Sequence, residues 1–347
     1  MPISDYQLVE AWKEVLTLSR LERGQTVTIL TSSSTHPQTL ACALIATQSM
    51  GAVVNRLDLP PVNGEKAFSR DSLAYLGTTP LTGNRAAIAA LKESDLVLDL
   101  MTLLFSPEQH DILKSGTKIL LAVEPPEVLA RLVPTYADRE RVLAAAKKIN
   151  AAREMRVTSP AGTSLVCPMG EFPAIAEYGF VDEPGRWDHW PSGFALTFPN
   201  DRTASGTIVI DRGDILLPQK CYVGEPIVLT VEKGYATKIV GGIDAALLRD
   251  YMETFNDPEG YAISHIGWGL QRRARWSTLG LYDREATIGM DARAFEGNFL
   301  FSLGPNNEGG GSRTTTCHID IPLRNCTVRI DDEVVVADGR VADTAQH

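Results

Sequence analysis

The sequence predicts two domains of different class, an α/β domain with a mostly parallel sheet over residues 1–155 and a β-rich α+β domain over residues 156–347. Three observations lead there. At 347 residues the chain is longer than one ordinary compact domain and suggests roughly two. Up to about residue 155, short β-branched runs alternate with segments of helical period, the pattern of strands joined by crossover helices. Beyond it, short strands are separated by Gly, Pro, Asn and Asp turns.

The first domain opens on Met1 to Arg20, which alternates polar and apolar groups at helical spacing. Val27-Thr28-Ile29-Leu30 is the first strand, and a helix from Gln38 to Met50 is closed by Gly51. Strands are expected at Ala52 to Leu57, Leu96 to Leu100 and Lys118 to Val123, with helices at Asn84 to Glu93, Pro107 to Lys114 and Asp138 to Ala152. In the second domain the strands are Gly206 to Asp211, Glu225 to Glu232, Thr237 to Val240, His318 to Pro322 and Thr327 to Val336, interrupted by one helix, Asp244 to Phe255. The Gly-rich stretch Gly304 to Ser312 is expected to be a mobile loop.

Composition narrows the function. A hydrophobic fraction of 44% and a charged fraction of 22% are those of a soluble globular protein. The formal net charge of -10 argues against nucleic acid or an anionic membrane as partner, since either needs a local excess of Lys and Arg. A small-molecule substrate is expected instead. No run approaches the roughly 18 apolar residues of a membrane span, and the N-terminus lacks the basic head and apolar run of a signal peptide. The 5 cysteines show no paired spacing and fit reduced thiols, so a cytoplasmic location is expected.

Cys317-His318-Ile319-Asp320-Ile321 places a histidine and an aspartate two apart in an expected strand, where period-2 alternation turns both side chains to one face. An imidazole nitrogen beside a carboxylate oxygen makes up most of a two-His, one-carboxylate iron(II) face. Of the remaining histidines, His265, in Ser264-His265-Ile266-Gly267-Trp268-Gly269, is the best third ligand, because the glycines permit close backbone approach. On spacing alone a plainer reading outweighs this one: a polar strand face with a hydrogen-bonded core histidine. His189, between Trp187 and Trp190, is a candidate general base and equally a packed loop histidine. Glu177 is a carboxylate in an apolar stretch, whose simpler reading is exposure at a strand edge. Thr31-Ser32-Ser33-Ser34-Thr35 and Gly309-Gly310-Gly311 lack the spacing of nucleotide-binding loops. No Gly-x-Ser-x-Gly elbow occurs.

Several landmarks together resemble the two-metal aminopeptidase family that includes aminopeptidase T. Pro191-Ser192-Gly193-Phe194-Ala195-Leu196-Thr197-Phe198-Pro199 is similar to that family's Pro-x-Gly-Glu-Val-Phe-Thr-x-Pro segment. Gly206-Thr207-Ile208-Val209 follows as its next strand, then Ile266-Gly267-Trp268-Gly269, Leu300-Phe301-Ser302-Leu303-Gly304, His318-Ile319-Asp320 and Asp338-Gly339-Arg340 in order. The resemblance implies an aminopeptidase T-like fold. It also implies that Phe194 and Leu300 stand where two metal ligands should be, while His265 replaces a glutamate. One ion held by His265, His318 and Asp320 would remain, in place of the two that a hydrolase of this kind uses.

Within that superfamily, the triad and the overall length resemble the 2,5-dihydroxypyridine 5,6-dioxygenases of bacterial nicotinic acid breakdown. This implies iron(II), one per chain, and O2-dependent opening of a hydroxylated pyridine ring to N-formylmaleamate, with a two-metal aminopeptidase-like hydrolase as the alternative. It further implies that His189 or Glu177 takes the substrate proton, and that Leu104, Phe105, Arg293 and Ser302 line the substrate site, the first domain supplying a pocket wall. A histidine is implied at the position of Phe105, so here a proton carrier would have given way to an inert ring. A homo-oligomer is expected.

Overall fold

The computed structural model describes residues 3–60, 79–103, 106–284 and 286–342. The chain forms two units, each assembled from separated stretches: Met1–Arg139 with Glu177–Ser192 and Tyr282–Met290, and Glu140–Ala176 with Gly193–Leu281 and Asp291–His347.

The first unit begins with the helix Asp5–Leu18. Its start is fixed by a capping box, in which the Gln7 backbone N–H donates to the Ser4 hydroxyl and the Ser4 backbone N–H donates back to the Gln7 side chain. Leu8, Trp12, Val15 and Leu16 recur at helical spacing and are buried, and Trp12 meets Trp190 edge-on with ring centroids 4.9 Å apart. Five parallel strands follow in the order Val53–Asp58, Thr26–Thr31, Leu96–Asp99, Lys118–Leu121 and Trp187–His189. The Leu96–Asp99 and Lys118–Leu121 strands are buried throughout, as expected of a sheet covered on both faces. Leu30, Leu91, Val97, Ile112 and Ile119 form the core between this sheet and the helices Arg85–Lys92 and Pro107–Lys114. Pro107 occupies the first helical turn, where no N–H is needed, and the Ser106 hydroxyl caps it.

The second unit holds two larger sheets. Eight strands, from Tyr235–Gly241 at one edge to Arg340–Val341 at the other, pair antiparallel in one. The other runs Ile319–Leu323, Phe299–Leu303, Ile263–Gly269, Phe194–Thr197 and Ile175–Glu177. The sequence from Thr327 to Val336, read as one strand, is a hairpin of Thr327–Ile330 and Glu333–Ala337. Its turn holds Asp331 at φ 47, a left-handed conformation that aspartate tolerates better than most residues. Gly267 is required by close approach, since a Cβ there would lie 2.1 Å from the Ala195 carbonyl oxygen. Among the described residues no helix is long and apolar enough to cross a membrane.

Asp99 ends its strand fully buried. Its carboxylate accepts the backbone N–H of Met101 at 2.9 Å and of Leu103 at 2.5 Å, shaping a turn in which Thr102 takes φ 70. Burial pushes its carboxyl group up to about 7, against the pull of the backbone donors of Met101, Leu103 and Thr102. Because this folded-state value exceeds the unfolded one, the stabilising contribution is complete below about pH 4 and is lost as pH rises through 7. Denaturant unfolding should therefore show about 3 kcal/mol of stability lost between pH ~5 and ~8 on account of Asp99, and Asp99→Asn should remove that part of the slope.

Candidate metal centre

His265 lies in the strand Ile263–Gly269, and its direction is set by an irregularity in pairing. Ile263 opposes Leu303 and Ile266 opposes Phe301, so Ser264 and His265 together face the single residue Ser302. Such a bulge turns a side chain away from the regular alternation. The interrupted ladder is completed by a side chain, because the His265 backbone N–H donates to the Ser302 hydroxyl at 3.0 Å. On its other side Ser302 stands opposite Asp320 in the strand Ile319–Leu323, and His318 immediately precedes that strand. Period-2 alternation then aims His318 and Asp320 the same way, toward His265.

The three side chains converge. Asp320 Oδ1 lies 2.9 Å from His265 Nε2 and 3.2 Å from His318 Nε2, and the rings of the two histidines are 5.6 Å apart at 81°. One ligand atom from each residue falls within 4.8 Å of the other two, and all three residues are buried. The Phe198 ring stands edge-on to His265, at 6.2 Å between centroids. Asp320 Oδ2 accepts from Arg293 Nε at 2.6 Å, so one carboxylate serves two imidazoles and a guanidinium. Burial pushes the Asp320 carboxyl group up, but the charges of His318 and Arg293 and the hydrogen bonds from both histidines outweigh it and hold the group well below the ordinary carboxylate range.

These residues fit a bound cation. His265 Nδ1 and His318 Nδ1 are buried without a hydrogen-bond partner, and His318 Nε2 meets only the Asp320 oxygen at 3.2 Å, a costly state for polar atoms that a metal ion would relieve. Two imidazole nitrogens and an ionised carboxylate are the donor set that suits iron(II) while leaving positions for other ligands. Among the described residues this is the only such cluster of His, Cys, Asp and Glu. Phe194 and Leu300 are buried apolar residues and offer no ligand for a second ion.

The other candidates divide between the units. Ser302 and Arg293 belong to the second unit, where they support His265 and Asp320 directly. His189 and Glu177 belong to the first: His189 lies in a strand rather than a loop and packs edge-on against Trp187, and Glu177 is buried rather than exposed. They are partners. His189 Nε2 lies 2.6 Å from Glu177 Oε2, and His189 Nδ1 donates to the Pro191 carbonyl at 2.6 Å. Since the carbonyl can only accept, Nδ1 carries a proton, and the contact on the opposite side shares a second one between imidazole and carboxylate. Burial alone would push the histidine pKa down, but attraction and hydrogen bonding to Glu177, with Asp188 and the Pro191 carbonyl, hold it above the usual value. His189 also ends the edge strand of the parallel sheet, at the carboxyl side where α/β sheets commonly place ligands. Leu104 and Phe105 lie outside the described residues.

Fold and site together define a protein of aminopeptidase T-like architecture whose ligands suit a single ion. In fold, the chain is similar to wild-type AmpT from Thermus thermophilus, with a TM-score of 0.64 over 98% of this chain and 100% of that one, at 14% identity. The sequence pattern of the 2,5-dihydroxypyridine 5,6-dioxygenase family matches residues 7–343, and the chain belongs to that family. It is 55% identical over 341 residues to the 2,5-dihydroxypyridine 5,6-dioxygenase of Pseudomonas putida KT2440, covering 98% of this chain and 97% of the relative. The solved structure of the 2,5-dihydroxypyridine dioxygenase from the same strain matches with a TM-score of 0.96 and 55% identity, over 99% of each chain. The two-metal hydrolase alternative is not favoured.

Asp320→Ala should do two things at once: abolish metal retention and leave Arg293 buried without its carboxylate, at a cost of about 3–5 kcal/mol. His318→Ala should abolish metal retention at a smaller cost in stability. Elemental analysis paired with denaturant unfolding separates the two effects, and equal stability losses would count against the Arg293–Asp320 pairing.

Proposed function

We propose that this chain opens 2,5-dihydroxypyridine between ring carbons 5 and 6 using both atoms of O2, giving N-formylmaleamate, with one iron(II) held by His265, His318 and Asp320. The observation that carries the reading is a buried two-His, one-carboxylate face with orphaned imidazole nitrogens in a chain of this family. Iron(II) bound there would supply open coordination positions and a path for electrons between the ring and O2.

The protein's own residues have distinct parts in this reading. Asp320 stays ionised and offsets part of the ion's charge, and Arg293 holds its second oxygen so that Oδ1 keeps its direction. Ser302 fixes the bulge that aims His265. We assign the proton of the substrate's 5-hydroxyl to the His189–Glu177 pair, with the Glu177 carboxylate as first acceptor, since both nitrogens of His189 are already engaged, one by the Pro191 carbonyl and one by Glu177 across a 2.6 Å contact. Removing that proton enriches the ring in electrons before oxygen attack. Arg293 and Ser302, with Leu104 and Phe105, are proposed to line the substrate site. The division into an N-terminal α/β domain and a metal-binding domain beginning at residue 156 belongs to the same proposal. So do a cytoplasmic location, supported by the free cysteines among the described residues, and a homo-oligomer, supported by the exposed apolar side chains Val240, Ile243 and Leu247.

The test is direct. Protein purified without oxygen, loaded with iron(II) and given 2,5-dihydroxypyridine in air should consume O2 as the ring absorbance disappears. Glu177→Gln should slow turnover by about two orders of magnitude while metal content is unchanged. Phe105→His should raise turnover. If neither oxygen nor ring absorbance changes, and Phe105→His does not help, the substrate assignment is wrong.

A further inference from the structure

Arg313 follows the Gly-rich loop and is buried, its side chain 7% exposed. Its carboxylate partner, Asp201, is 45% exposed and lies 2.8 Å from Nη1. Burying a guanidinium is expensive unless its donors are all used, and here they are directed at backbone. Nη2 donates to the Ile263 carbonyl at 2.9 Å and Nε to the Gly304 carbonyl at 2.7 Å.

Those two carbonyls have particular positions. Ile263 is the last regularly paired residue before the bulge that carries His265. Gly304 follows the facing strand with φ 122 and packs against the chain leading into Asp320: a Cβ on it would lie 2.1 Å from the Cys317 oxygen and 3.2 Å from His318 Cα. One planar group therefore spans the backbone that feeds both imidazoles. The loop secures the guanidinium in turn, because the Arg313 backbone N–H donates to Asn306 Oδ1 at 2.8 Å and the Asn306 backbone N–H donates to the Arg313 carbonyl at 3.2 Å. The Ser264 hydroxyl, inside the bulge, donates to the Pro305 carbonyl of the same loop.

We propose that Arg313 is a positioning residue for the metal centre, setting the spacing of His265 and His318 by bridging the Ile263 and Gly304 carbonyls. The inference rests on the reading of His265, His318 and Asp320 as metal ligands. It requires arginine. A lysine has one nitrogen and cannot reach two strands and Asp201 from three separate atoms.

The experiment compares wild type, Arg313→Lys and Asp201→Asn, using cobalt(II) as a spectroscopic probe, chelator competition for iron(II) affinity, and thermal melts of the metal-free proteins. Arg313→Lys should fold, weaken iron(II) binding by about tenfold or more and shift the cobalt(II) absorption bands. Asp201→Asn, which removes the ion-pair partner but leaves both carbonyl contacts, should keep the wild-type bands and an affinity within about threefold. Wild-type affinity and bands in Arg313→Lys overturn the positioning role while leaving the metal centre intact. The role is also overturned if Arg313→Lys fails to fold without metal, or if Asp201→Asn is impaired as much as Arg313→Lys, since Arg313 would then serve the fold through its ion pair. A wild type that takes up no ion overturns the metal-centre reading itself, and the positioning role with it.

Discussion

The shared carboxylate of Asp320 is the constraint around which the second unit's centre is organised. It is buried, yet it meets two imidazoles through one oxygen and a guanidinium through the other. A charge in that position is tolerated because its partners are held in place by strand register and by side-chain contacts. Ser302 closes the bulge at His265, the register of Ile319–Leu323 puts Asp320 opposite Ser302, and Arg293 takes the remaining oxygen. Chemistry on this fold therefore depends on strand geometry as much as on the identity of the ligands.

The fold shared with AmpT surrounds the His265, His318 and Asp320 cluster with a sheet whose neighbouring positions are apolar. Phe194 sits in a buried strand of the same sheet as His265, and Leu300 pairs beside Gly267. Apolar side chains at those positions pack into the core and offer no donor atom to an ion. The similarity in fold persists at 14% identity, which packing constraints can maintain.

Much of this was legible in the chain and some of it was not. Helices such as Pro107–Lys114 announce themselves through a capping serine, a first-turn proline and a buried stripe. His318 and Asp320 share a face because strand alternation is a local property. The direction of His265 is not local: it depends on a bulge defined by pairing with residues almost forty positions away, which no tripeptide signals. The same is true of Glu177 and His189, each ordinary alone and informative only as a pair. Arg293 was readable as a substrate contact, and the fold reveals that it holds Asp320. The one-strand reading of Thr327 to Val336 missed a two-residue turn because consecutive aspartates were flanked by continuous β-formers.

The interleaving of the two units bears on biosynthesis. The parallel sheet of the first unit takes its edge strand from Trp187–His189, after the chain has passed through Glu140–Ala176. Another stretch of that unit, Tyr282–Met290, arrives later still, and it carries the backbone N–H of Met290 and the hydroxyl of Thr287 to the buried Glu124 carboxylate. A ribosome emits these pieces in order, so Glu124 waits without those donors while some 160 further residues are made. The N-terminal sheet can form early but cannot be sealed early. Nascent chains stalled before Thr287 should consequently be more open to chaperones than the position of their first strands would suggest.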